Sequence, residues 1–180
     1  MKTRIARELG GGEENIYLVE LIVENILDPL DPAEIVALVS IFVAHGRSKN
    51  EPNVETMEIP DTLREAILQV QDIYKKINDM EKAANIATEF ELNLLIVKAV
   101  YEWGMGREFI EICEHTEVLE GAVVRSIQRV EQTMKSIQRA LAQVGNSTLV
   151  EKVQKGSEII KRGIAFASSL YLDQNMDLTS

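Results

Sequence analysis

Val123, Ile127, Val130, Met134, Ile137, Leu141 and Val144 follow one another at alternating steps of four and three. Only an α-helix gathers residues so spaced onto one side, because each residue turns the backbone by about 100°. A strand would scatter them over both of its faces. The spacing predicts a helix from Glu120 to about Val144 whose apolar seam is too long to leave in water. Other helices must cover it, which already narrows the fold to an all-α arrangement.

Two positions along, Arg125, Arg129, Gln132, Ser136 and Arg139 repeat the same steps. Two residues correspond to about 200° of rotation, so this polar row lies almost opposite the seam. One side of the helix holds the fold, and the other presents long hydrogen-bonding side chains outward. Arginine suits a nucleic-acid strand: it stays charged, donates bidentately to phosphate, and stacks its planar head on a base. Gln132 offers both a donor and an acceptor to a base edge. An ordinary solvated helix face has the same spacing, so periodicity alone leaves both readings open.

Charge separates the two parts of the chain. The formal net charge is −10, yet residues 1–121 hold 11 Lys/Arg against 24 Asp/Glu, and residues 122–163 hold 8 against 3. The front would repel a polyanion and the back helices would attract one.

The rest of the chain supplies covering helices. Residues 1–9, MKTRIAREL, alternate loosely and predict a short strand or an extended arm, broken off by Gly10–Gly12. Glu13 and Glu14 open a helix whose inward stripe is Ile16, Val19, Ile22, Val23 and Ile26, and DPLDP at 28–32 stops it. Asp31 as N-cap and Pro32 as first helical residue start the next helix, which is apolar almost all round and therefore central. Gly46–Glu58 is a polar loop. A helix from about Pro60 to about Ala87 turns Leu63, Ile67, Val70, Ile73 or Tyr74, and Ile77 inward. Others follow at about Glu91–Trp103, about Arg107–Glu114 and, with Ser147 as cap, about Thr148–Tyr171. About seven helices and no convincing sheet predict a single all-α helical bundle. It is expected over residues 13–172, after a lead-in segment at 1–12 and before a flexible tail at 173–180.

Composition agrees: only 5% of the residues are aromatic, so Leu, Ile, Val and Ala must build the core. Cys113 is the sole cysteine, which excludes an intramolecular disulfide and points to a reducing compartment. The N-terminus lacks the apolar run of a signal peptide, and no stretch is long enough to cross a bilayer, so an intracellular soluble domain without a membrane partner is expected.

Little else has the spacing of a reactive site. Cys113 and His115 sit two apart, but nearby acids raise a thiol's pKa, so Cys113 is expected to be a buried structural residue. His45 ends an apolar helix, where a cation suits the dipole. Two histidines and one distant cysteine make no zinc set, and no metal site is expected. Tyr101 and Trp103 lie in an apolar helix and are expected to fill the core. Residues 107–129 have a helix-turn-helix rhythm that would permit reading of duplex DNA, although Glu108, Glu111, Glu114, Glu117 and Glu120 would repel its phosphates. A non-catalytic interaction scaffold, docking a basic partner on its acidic helices, is the other alternative.

The run ICEHTEVLEGAVVRSIQRVEQ, with VGNSTLVEKV and IIKRGIAFASSLYL, resembles the C-terminal helical domain of the Ski2-like DExH RNA helicases, the DSH C-terminal domain. Upstream, KTRIAREL, LVELIVENILDPLDPAEIVALVSIFV and VKAVYEWGMGREFIEIC are similar to the same family, so the resemblance spans roughly residues 2–172. It implies that the helix after Glu120–Gly121 is a ratchet helix lying across the strand channel of two RecA-like domains and touching single-stranded RNA. The family's arginine would be Arg129, with Arg125 at the preceding turn. Gln132 stands where the family usually has glutamate, and Gly163 where it usually has an acidic residue. The implied partners are RNA, RecA-like motor domains and, indirectly, the RNA exosome or its adaptor, in the nucleus or the cytoplasm. The chain has neither a G-x-x-x-x-G-K-[ST] phosphate loop nor a DExH sequence, so on its own it is expected to be no enzyme. ATP and Mg would belong to the parent motor domains, and no cofactor is expected in this chain.

Overall fold

The computed structural model describes residues 1–44, 52–86 and 89–176, with side chains as far as Lys161. Within these residues the chain forms eight α-helices and no strand: α1 (Lys2–Leu9), α2 (Asn15–Val23), α3 (Pro32–Val43), α4 (Asp61–Ala83), α5 (Val97–Gly104), α6 (Phe109–Glu114), α7 (Glu120–Val144) and α8 (Ser147–Met176). The all-α bundle expected from periodicity is what forms. His45 and residues 46–51 of the expected polar loop lie outside the described residues, as do residues 177–180 of the expected tail.

The central rod is α3, in which every residue from Ala33 to Val43 is buried. It touches α4, α5, α7 and α8. Its start is set by Pro32 at the first turn and by a capping box between Asp31 and Glu34. The Asp31 N–H donates to Glu34 Oε2 at 2.7 Å, and the Thr62 hydroxyl at the head of α4 donates to Glu34 Oε1. The seam of α7 is covered by α8, α1 and α3 together.

Four expectations need correction. Residues 2–9 are a helix rather than a strand or arm: Ile5 and Leu9, one turn apart, are both buried, and α1 lies against α7. In α2, Ile16 is 47% exposed while Tyr17, Leu18 and Leu21 are buried instead. The helix also stops at Val23, because Asn25 takes a left-handed φ of 57°.

The helix expected from Glu91 begins only at Val97. Residues 89–96 are pinned as irregular chain: Phe90 stacks on Tyr17 at 4.8 Å, its carbonyl accepts from the Tyr74 hydroxyl at 3.0 Å, and the Asn93 N–H donates to the Ile41 carbonyl at 2.9 Å. Asn93 Oδ1 accepts from the Leu95 N–H at 3.0 Å, a local turn that competes with helix.

Finally, Asn146 rather than Ser147 caps α8, with its Oδ1 accepting from the Leu149 N–H at 3.1 Å. Gly145 just before it takes φ 81°, which a side chain would resist, and this lets α7 end and α8 begin within two residues. The first turns of α8 are fastened to the α2–α3 link by Lys152 Nζ, which donates to the carbonyls of Asp28 at 2.8 Å and Leu30 at 3.1 Å.

Candidate nucleic-acid interface

The two faces of α7 separate as the spacing predicted. Val123, Ile127, Val130, Met134, Ile137 and Leu141 are buried to 3% exposure or less. Val144, the last expected member of the seam, is exposed at the helix end. Opposite them Arg125, Arg129, Gln132 and Arg139 are exposed, and Ser136 is half-buried. Arg139 Nη2 donates to Ser136 Oγ at 3.0 Å, which holds that guanidinium along the row.

α7 carries only two acids, Glu120 and Glu131, and neither lies on this row. Glu131 is buried on the flank facing α8, where its carboxylate meets Lys135 Nζ at 2.8 Å and Lys161 Nζ at 3.6 Å. Its charge is thereby neutralised against the bundle rather than set beside the arginines. Periodicity offered only half of this arrangement, the Glu131–Lys135 pair at i,i+4; Lys161 arrives from another helix.

The other candidates separate from this face. Tyr101 is half-buried and Trp103 buried, the latter edge-on to Phe109, as core residues rather than stacking platforms. Glu108, Glu111, Glu114, Glu117 and Glu120 are all exposed around α6 and the turn into α7. Five carboxylates there oppose duplex DNA at the helix-turn-helix. Among the described residues no helix is long and apolar enough to cross a membrane, and no cluster of His, Cys, Asp and Glu has the geometry of a metal site.

Cys113 is half-buried, and its neighbour His115 is exposed. Burial first and the Glu120 carboxylate second push the Cys113 thiol up to about 11. Near pH 8 only about one molecule in a thousand then carries the nucleophilic thiolate. Iodoacetamide should alkylate the native chain roughly a hundredfold more slowly than the urea-unfolded chain, with the difference closing as the pH approaches the raised pKa. Equal rates at pH 8, read by mass spectrometry, would contradict this environment.

The family model of the DSHCT (NUC185) domain matches residues 1–167. The chain is 37% identical to the antiviral helicase SKI2 of Saccharomyces cerevisiae and 32% identical to the exosome RNA helicase MTR4 of Homo sapiens. It is 36% identical to the DExH-box ATP-dependent RNA helicase DExH11 of Arabidopsis thaliana. Each match covers 96% of this chain but only 14%, 16% and 13% of the respective relative. The matched region in each helicase is thus a small part of its length. The chain belongs to the DSHCT family: it is a C-terminal helical domain of the Ski2-like RNA helicase type.

Proposed function

We propose that α7 is the strand-contacting helix of an ATP-dependent, exosome-linked RNA helicase, with Arg125, Arg129 and Gln132 meeting single-stranded RNA. The observation that carries this reading is the outer row itself: three exposed arginines and a glutamine, on the least acidic part of a chain of net charge −10. The names of two relatives, an exosome RNA helicase and a DExH-box ATP-dependent RNA helicase, support the choice of RNA. In this reading other surfaces of the bundle dock on RecA-like motor domains, which supply ATP and Mg, and the exosome or its adaptor is reached through the motor. The setting is intracellular. As the motor cycles, α7 holds the strand between steps, so the strand does not slip backwards. Gln132 keeps hydrogen-bonding reach without charge, which lets it approach a base or phosphate without the repulsion a carboxylate would bring.

The test is a titration of fluorescent single-stranded RNA with the unaltered chain and with Arg125→Ala/Arg129→Ala, at low and moderate salt. Two lost phosphate contacts should weaken binding about tenfold at low salt and flatten the salt dependence by about 1.4 in log–log slope. Both replaced side chains are exposed, so the variant should melt close to the unaltered chain. Equal affinity at both salts would remove the RNA role of this face.

A further inference from the structure

The polar row on α7 does not stop at Arg139. Gln143 falls one step of four further along it and is exposed. At that end α1 meets the last turn of α7, and Met1, Arg4, Gln143 and Val144 line a shared depression of about 320 Å³. Met1 and Val144 are 68% and 36% exposed, an apolar floor open to solvent. Arg4 is exposed, and among the described residues its guanidinium forms no ion pair. Lys2, two residues away, differs: its ammonium is held by Glu20 at 2.7 Å. α1 is also basic as a whole, with Lys2, Arg4 and Arg7 against a single half-buried acid, Glu8.

We propose that the RNA path runs the whole outer length of α7 and passes onto α1, where Arg4 grips a phosphate beside Gln143. This rests on the RNA reading of α7 and adds a second element to it. Eighteen residues from Arg125 to Gln143 rise about 27 Å, enough to follow several nucleotides of extended strand. No acid lies on the row over that length, so the backbone of the strand meets no like charge before it reaches Arg4. Arg4 supplies the charge-assisted contact, Gln143 reaches the adjacent sugar or base edge, and Met1 with Val144 gives a base an apolar surface to lie on.

The experiment measures affinity for oligouridine of about 15 nucleotides over a range of salt, for the unaltered chain, Arg4→Ala, Arg125→Ala/Arg129→Ala and Lys76→Ala. Lys76 is exposed on α4 and removes the same charge far from the path. Arg4→Ala should weaken binding three- to tenfold and lower the salt slope by about 0.7, the value of one phosphate contact on a single strand. Lys76→Ala should leave the slope unchanged. A photoreactive uridine should crosslink to the α1 segment as well as to α7. A normal slope in Arg4→Ala beside a lowered slope in the double variant overturns the extension and leaves the α7 reading standing. Normal slopes in both overturn the two together, and an equal loss in Lys76→Ala shows net charge rather than a path.

Discussion

Gly156→Leu should melt roughly 10 °C below the unaltered chain, a loss of about 3 kcal/mol. Gly156 is buried in α8 where that helix crosses both α3 and α7. A Cβ placed there would sit 2.9 Å from Met134 Cε, 2.9 Å from Val36 Cγ2 and 3.0 Å from the Pro32 carbonyl. Only the first of these yields easily, being the end of a flexible side chain. Val36 is fully buried and stiff at χ1, and the Pro32 carbonyl belongs to the capped first turn of α3. Gly156→Ala gains about 1 kcal/mol of helix propensity but must spread these contacts, so a smaller fall of a few degrees is expected. Adding Met134→Leu, which shortens the reach of that side chain, should recover part of the alanine variant's loss as a favourable coupling of about 1 kcal/mol. Thermal melts followed by circular dichroism check the series; a leucine variant as stable as the glycine protein would mean that α8 rides free of α3.

What the sequence revealed, and what it hid, follow from how local each signal is. Both faces of α7 were legible because an apolar seam repeated over several turns averages out single exceptions such as Val144. The start of α3 was legible for a different reason: Asp31, Pro32 and Glu34 act within one turn. The failures were decided by distant partners. α1 offers only two buried side chains, Ile5 and Leu9, and its helical spacing competes with a loose alternation until α7 is present to bury the pair. Residues 89–96 contain an apolar run that suits a helix locally, but Tyr17, Tyr74 and the Ile41 carbonyl hold Phe90 and Asn93 in another path. At the candidate site the row Arg125, Arg129 and Gln132 could be read from spacing. The second cation on Glu131 could not, since Lys161 comes from α8, and neither could the meeting of Arg4 with Gln143. Contacts between residues far apart in sequence leave no periodic trace.

Trp103→Ala and Trp103→Phe should differ far more than their distance in size implies. Trp103 is the only tryptophan, buried to 6% exposure in α5 and set edge-on against Phe109 of α6, with ring centroids 5.8 Å apart and planes at 81°. Truncation to alanine removes that contact and leaves a cavity, at a cost of about 3–5 kcal/mol. Phenylalanine keeps an edge against Phe109, and it also removes a liability: the indole Nε1–H is buried and has no acceptor among the described residues. An unpaired buried donor costs about 1–3 kcal/mol, which offsets much of the lost ring area. Trp103→Phe should therefore lie within about 1 kcal/mol of the unaltered chain. Urea titrations must be followed by far-ultraviolet circular dichroism, because both variants lose the chain's tryptophan fluorescence. The consequence reaches the candidate site, since α6 leads directly into α7 and leans on α5. In Trp103→Ala, amide exchange should rise first in residues 109–119 and then in the first turns of α7 that carry Arg125. A phenylalanine variant as unstable as the alanine variant would mean that the indole N–H is bonded after all, and that the junction is held by polarity rather than by stacking.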